Sequence, residues 1–381
     1  MRDPGDTAVL ENEALRVIVH PRVGGTIAAI EHRGLGASVL GTVPWVPEVA
    51  PLDFGAAPDE PTWLTRYGGG WPLLFPNGGD ACEFEGTFHG FHGEASIAPW
   101  EAEIAGAVLR LTRRFRTVPV DMRELALDGD LLTIRETVRM LGGQPARVMW
   151  GHHPTFGADL LAGPFEVQAG ARKVAVDDRY DPGNNPLNPG AAGPWPSAPG
   201  KTGPFNMSRP SGKVAALACL HDFDSAWVSI RRLDDSVAAA RSWDGRVFPY
   251  AWLWYEPCGT PEPPWCGKTR LIGLEPNTTW PASGLAEADR RGGPLMTLQP
   301  GAEITATVRL NVFRPEGAVL GVDATGRAVL KADATAWNRP GIAPSDALDV
   351  APVWGGDFKI WSAAPAERPS RLYSARCTGF E

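Results

Sequence analysis

The chain has 381 residues, 43% of them hydrophobic, and its 36 Lys and Arg against 44 Asp and Glu give a formal net charge of −8. This is enough apolar material for one large all-β unit or two ordinary domains. The acidic balance and the lack of any long basic run exclude a nucleic-acid surface, and no apolar stretch approaches the roughly 20 residues that span a bilayer.

The opening Met1-Arg2-Asp3-Pro4-Gly5-Asp6 lacks the basic-then-apolar pattern of a secretory leader. Cys82, Cys219, Cys258, Cys266 and Cys377 are scattered, with no C-x-x-C spacing for zinc. A cytoplasmic enzyme with free thiols is the simplest account, and a Cys258–Cys266 bridge is an open alternative. The 44 Gly and 37 Pro favour many short strands joined by loops, because both residues are poor in helix interiors. Fifteen Trp suit either core packing or platforms for the apolar faces of sugar rings, and the count alone does not separate the two.

Residues 8–33 begin with Leu15, Val17 and Val19 alternating against Arg16, Ile18 and His20, and a turn from Pro21 to Gly25 leads to Ile27, Ala29 and Ile30. Two strands joined by a glycine-rich turn are expected. Residues 40–80 are loop-rich and run into Gly68-Gly69-Gly70-Trp71-Pro72 and Phe75-Pro76-Asn77. Three consecutive glycines permit a sharp turn or a close approach to a ligand. No Lys-Ser/Thr pair follows them, which excludes a phosphate loop. His89 and His92 come next. From 101 to 150 strand follows strand: Leu131, Thr133, Arg135, Thr137 and Arg139 face one way, and Leu132, Ile134, Val138 and Met140 the other. That is the period of an antiparallel sheet with one wet face.

Val148, Met149 and Trp150 read as the end of a buried strand that runs into Gly151-His152-His153-Pro154, where a proline without an N–H ends the ladder. Residues 179–213 are a Pro/Gly-rich excursion expected to be irregular. Strands resume at 214–220, 226–230 and 237–241, then at 250–255 with Trp252 and Trp254 on one face. Leu271, Ile272, Leu274 and Glu275 form another strand that stops at Pro276, and 298–313 alternates after a turn at Pro300-Gly301. Residues 1–315 are expected to form one β-sandwich domain. Residues 316–381 read as a C-terminal extension of unknown role, with a hairpin around Thr325-Gly326. No helical stretch of convincing length is present, so the fold class is all-β and mostly antiparallel.

Four of the seven histidines fall in two tight clusters, which suggests metal binding or proton transfer. His89-x-x-His92 and His152-His153 with Asp159 are loosely compatible with a metal. Adjacent histidines on a strand point to opposite faces, however, so both cannot readily hold one ion, and no metal is expected. Imidazole, with an ordinary pKa of about 6.5, can give or take a proton near neutrality, but the opposite role needs a carboxylate. Glu275 is the best candidate, placed before Pro276 as His153 is before Pro154. Each also has a plain reading, the histidines as satisfied structural residues and Glu275 as a surface group.

Five segments in order carry a resemblance. They are the opening alternation with Pro21 to Gly25, Gly70-Trp71-Pro72 through Phe75-Pro76-Asn77, His92-Gly93-Glu94 with Trp100, Gly151-His152-His153-Pro154-Thr155-Phe156, and Gly273-Leu274-Glu275-Pro276. Together they resemble the aldose 1-epimerase (galactose mutarotase-like) family over roughly residues 8–313. The resemblance implies a β-supersandwich, no cofactor, and interconversion of the α and β anomers of a free sugar. It implies His153 as the acid that protonates the ring oxygen and Glu275 as the base that takes the anomeric proton. His92, with His89 as a second claimant, would hydrogen-bond the substrate, and Trp71, Asn77 and Trp254 would join the substrate contacts. The expected partner is a small-molecule carbohydrate, with no nucleic acid or membrane, for a monomer or homodimer.

The sequence departs from that pattern at two points. His152 stands where an asparagine commonly precedes the acid, and no arginine lies between Arg66 and Arg110, where a substrate-binding arginine is expected. Both bear on which sugar is bound. A non-catalytic carbohydrate-binding protein on the same scaffold is the alternative from a different class. A lyase or hydrolase is a third, although no paired carboxylates stand ready for glycosidic cleavage.

Overall fold

The computed structural model describes residues 7–45, 47, 59–118 and 123–331, all within the first of two compact units, Met1–Asn338. In the strand Leu15–His20 the residues Leu15, Val17 and Val19 are buried and their neighbours half-buried, so period-two patterning does put an apolar face inward there. Among the described residues the helices are short, Glu60–Leu64 and Leu285–Arg290, and none is long and apolar enough to cross a membrane.

The strands are antiparallel, and most belong to one large sheet. Its path runs from Leu73–Leu74 through Gly151–His152, Arg270–Asn277, Tyr250–Pro257, Ala216–Arg232, Ala238–Trp243 and Glu303–Phe313 to Leu131–Arg139 and beyond. Ala216–Arg232 was expected as two strands and is one, because residues 216–220 pair with Tyr250–Pro257 while 227–231 pair with Ala238–Trp243. It therefore serves both halves of the sheet. The halves meet across a core: Arg241 of one lies against the Trp71 and Phe156 rings of the other, and Glu136 meets His152. The architecture is a β-sandwich.

Two prolines expected to end ladders do not. Arg270–Asn277 continues through Pro276, which pairs with Ala251, and pairing resumes beyond Pro154 at Thr155–Phe156. The amide directions explain this. Leu274 donates to the Pro154 carbonyl at 3.3 Å and Thr278 to that of Trp150 at 2.9 Å, so the position between them faces the same neighbour. Pro276 stands there with no N–H to give, and the ladder has a gap without breaking. Gly151 opposite Asn277 and Thr155 opposite Gly273 fix one register on both sides of the gap. That register sets His153 across from Glu275.

The excursion over 179–213 is more ordered than its composition suggests, with strands Ala192–Pro194, Ser197–Gly200 and Gly203–Asn206. The hairpin around Thr325-Gly326 forms as Val319–Val322 and Ala328–Leu330, and Arg327 pairs with Asp130. The rest of the extension, from 332 on, and Cys377 lie outside the described residues. Cys82, Cys219, Cys258 and Cys266 are all free thiols, so the Cys258–Cys266 bridge is not made.

A buried cross-strand ion pair lies inside the sandwich. Arg123 stands opposite Glu136 in the ladder, with Nε 2.9 Å from Oε1 and both side chains buried. Burial works against the Glu136 carboxylate, but His152, Arg123 and Trp150 more than offset it and hold its pKa below the ordinary range. Removing one member of such a pair leaves the other charge uncompensated. Glu136→Gln is expected to cost roughly 3–5 kcal/mol of stability in urea unfolding; a loss below about 1 kcal/mol would show that Arg123 is held by other means.

Candidate active site

Strand pleat separates the two adjacent histidines, as the sequence implied. His152 points into the core. Its Nδ1 accepts from the Trp71 indole N–H at 3.1 Å, which leaves the ring proton on Nε2, 3.2 Å from Glu136 Oε2. Burial lowers its pKa, and Arg123 and Arg241 add to the effect against the pull of Glu136. His152 is a core residue, bonded at Nδ1 and facing Glu136 at Nε2 without an aligned hydrogen bond.

His153 points the other way. Its Nε2 is 3.7 Å from Glu275 Oε1, both side chains almost wholly buried. The backbone of His153 is anchored separately, with its N–H donating to the Pro72 carbonyl at 3.0 Å, while Thr155 N–H donates to Gly70 at 2.8 Å. Gly69 and Gly70 therefore meet backbone, not ligand: a Cβ on Gly70 would lie 2.5 Å from the Ile27 carbonyl oxygen. Gly273 has a different task. A Cβ there would lie 2.1 Å from Glu275 Oε1, so the carboxylate folds down over a position that must carry no side chain.

Rings surround the pair. The centroids of His92, Tyr67, Trp63 and Trp254 lie 5.1, 5.6, 6.0 and 6.0 Å from that of His153. Trp252 and Trp254 share the Glu275 face of the sheet, opposite Glu275 and Gly273. Trp252 is buried and donates to the Thr279 carbonyl at 2.7 Å. Trp254 is half-buried, donates to Tyr180 Oη at 3.4 Å, and continues outward through Trp265 to Trp45. His92 Nδ1 accepts from Gly79 N–H at 3.0 Å, which leaves Nε2 to carry the proton of its neutral ring.

Electrostatically the site is set by burial. It pushes Glu275 well above the ordinary carboxylate range, with Arg241 pulling the other way. It lowers His153 to about 4 and takes His92 well below its usual value, His153 adding to the latter. Arg241 itself is buried among the Trp71, Trp243 and Phe156 rings, with its guanidinium carbon 5.3, 5.6 and 5.9 Å from their centroids. Its guanidinium nitrogens have no hydrogen-bond partner among the described residues. Burial thus favours a neutral His153 ring beside a protonated Glu275 carboxyl.

Of the residues expected here, the structure brings together His153, Glu275, His92 and Trp254. Trp71 is not among them: it is fully buried on the opposite face, spent on His152. Asn77 is also fully buried, its amide donating to the Asp80 and Gly90 carbonyls and accepting from Leu285 N–H, so it ties down the loop that carries His92. His89 is buried on the hairpin strand Thr87–His89 and does not pack against the His153 ring. Residues not anticipated are Trp63, Tyr67, Thr155, Tyr180, Arg241 and Glu136. Glu136 alone left a visible trace, as a charge on the inward side of an alternating strand. Trp63 and Tyr67 also line a cavity of about 250 Å³ with Arg66, His20 and Trp45, but neither His153 nor Glu275 faces it. The cross-strand pair, which carries the complementary chemistry, is the candidate site.

No protein-family model and no curated protein matches the chain. Solved structures do. The chain is similar to a candidate aldose 1-epimerase of Escherichia coli K12 (TM-score 0.58, 16% identity, covering 81% of this chain and 99% of that one). It is also similar to the Slr1438 protein of Synechocystis sp. PCC 6803 (0.56, 20%, 81% and 96%). A galactose mutarotase-like protein of Lactobacillus casei ATCC 334 matches as well (0.54, 16%, 81% and 100%). The likeness is one of fold, and the chain has the galactose mutarotase-like sandwich.

A consequence for stability follows from His153. Its folded pKa of about 4 lies below the ordinary 6.5, so the folded state holds fewer protons than the unfolded state between those values. The stabilisation is full above pH 6.5 and is lost as the pH falls toward 4. Relative to His153→Gln, the wild-type unfolding free energy should drop by up to about 3 kcal/mol across that window. A difference independent of pH would contradict the burial of the ring.

Proposed function

We propose that the protein is an aldose 1-epimerase-like mutarotase that interconverts the α and β anomers of a free sugar by acid/base ring opening. The observation that carries this reading is the cross-strand pair, His153 Nε2 3.7 Å from Glu275 Oε1, beneath the aromatic walls of Trp63, Tyr67 and Trp254. In a cyclic sugar the ring oxygen and the anomeric hydroxyl sit on one carbon, so an acid and a base this close can serve both.

His153 as imidazolium donates from Nε2 to the ring oxygen while Glu275 as carboxylate takes the anomeric proton. The bond from C1 to the ring oxygen breaks and a C1 aldehyde forms. Rotation about C1–C2 presents the other carbonyl face, and reclosure returns both protons to the groups that gave them. Nothing is oxidised and no proton is lost. The working arrangement, with the proton on His153, is the less favoured one in the empty site, and Arg241 draws the equilibrium toward it by favouring ionised Glu275. In this reading His92 donates from Nε2 to a sugar oxygen, and the tryptophan rings suit the apolar faces of the sugar.

Glu275→Gln should lower mutarotation at least about a thousandfold while sugar binding persists. The assay is exchange NMR of anomeric protons over a panel of neutral, acidic and phosphorylated sugars. Wild-type exchange in the Gln variant would remove Glu275 from the role of base. If the wild type accelerates exchange of no sugar but still binds one, the protein is a carbohydrate-binding protein on this scaffold.

Gly273→Ala should reduce turnover about a hundredfold, because its methyl group displaces the Glu275 carboxylate. An unchanged rate would show that the carboxylate works from another position.

A further inference from the structure

At the Nδ1 edge of His153 stand two hydroxyls that the proposed reaction does not use directly. Tyr67 Oη lies 2.5 Å from Thr155 Oγ1. Thr155 Oγ1 lies 3.2 Å from His153 Nδ1 and 3.4 Å from the His153 carbonyl oxygen. All three side chains are buried. The Thr155 backbone is held independently, its N–H by Gly70 and its carbonyl by Gly41 N–H, so the hydroxyl is not needed to hold the strand.

Hydrogen-bond directions in this group are constrained. Thr155 is the only side-chain partner of the Tyr67 hydroxyl among the described residues. A buried phenol that accepted from Thr155 would leave its own proton without an acceptor, so Tyr67 donates. Burial also pushes its pKa up, which keeps that proton in place. Thr155 Oγ1 then has one hydrogen and one lone pair left, and two acceptors are in reach. With the hydrogen turned to Nδ1, the neutral ring would carry its proton on Nε2 and could not take another there from Glu275. With the hydrogen turned to the His153 carbonyl, the Thr155 oxygen accepts Nδ1–H from the neutral ring and the imidazolium alike, and Nε2 is the nitrogen that gains and loses the proton.

We propose that Thr155, fixed by Tyr67, is a positioning residue for His153. Its hydroxyl accepts from Nδ1–H and donates to the His153 carbonyl whether the ring is neutral or an imidazolium. Nδ1 stays hydrogen-bonded in both states, and the mobile proton always leaves from and returns to Nε2. No proton passes along the Tyr67–Thr155 arm. The inference rests on the mutarotase reading of His153 for its consequence, but not for its geometry. The titratable groups facing the ring are Glu275 from Arg270–Asn277, His92 from its loop and Tyr67, with Arg241 acting on Glu275 from the opposite half of the sandwich.

The test is ¹⁵N NMR of the histidine rings in the full-length protein, with His153 assigned by its loss in His153→Gln, alongside anomer-exchange kinetics. The wild-type ring at neutral pH should carry its proton on Nδ1. Thr155→Val should admit the Nε2–H tautomer and move imidazolium formation to lower pH, because the charged ring loses the stronger bond. It should lower kcat roughly ten- to hundredfold with KM changed less than about threefold, and shift the acid limb of the rate profile to lower pH. Thr155→Ser should restore tautomer, titration and rate together.

A neutral wild-type ring protonated on Nε2, or a Thr155→Val protein with unchanged tautomer and titration, overturns the proposal. If the tautomer behaves as expected but wild-type protein exchanges no sugar, the positioning holds and the reaction assignment is what fails.

Discussion

The site depends on one register, that of Gly151–His152 and Thr155–Phe156 against Arg270–Asn277. In an antiparallel ladder, residues directly opposite each other put their side chains on the same face. That rule alone brings an imidazole and a carboxylate from positions far apart in sequence to within reach of one carbon atom. The surrounding features serve this pairing. Pro276 interrupts the ladder without ending it, Gly273 leaves space for the carboxylate, and the Gly70-Trp71-Pro72 backbone anchors His153 and Thr155 from the other edge.

The same pleat divides the interior into two electrostatic compartments. On the core side, Arg123, Glu136, His152, Trp150 and Trp71 form a set in which most polar atoms face a partner, although the geometry leaves some contacts off-line. On the other side, Glu275 and His153 are buried with few partners, and burial pulls their proton affinities in opposite directions. Arg241 bridges the compartments. Its cation is held by aromatic faces and not by hydrogen bonds, which leaves its charge free to act on Glu275. Polar chemistry left unsatisfied in this way is costly to stability and is characteristic of sites built for reaction.

Local patterning carried much of the fold in the sequence. Alternation marked the strands, and the strand rule correctly sent His152 and His153 to opposite faces. It could not say which strand lies beside which, and each misplacement comes from that. Trp71 and Asn77 sit in the motif that resembled a ligand-binding segment, yet their side chains are spent on His152 and on loop carbonyls. Tyr67, Trp63 and Thr155 gave no local signal, because their importance arises only where the turn after Glu60–Leu64 meets the far strand. The prolines misled for a related reason: whether a missing N–H ends a ladder depends on which neighbour it would have faced. Glu136 was the exception, since a carboxylate among inward apolar residues is visible without any partner being known.

One consequence of the pleat concerns length rather than chemistry. Side chains alternate with a period of two, so adding or removing one residue between Pro145 and Gly151 would exchange the places of the two histidines. The imidazole now bonded to Trp71 and facing Glu136 would be set opposite Glu275, and the one now facing Glu275 would turn to the other face. Both have the right chemical group and neither would have the right neighbours. The segment is therefore intolerant of single-residue insertions and deletions, whereas the turns of the 179–213 excursion carry no such parity.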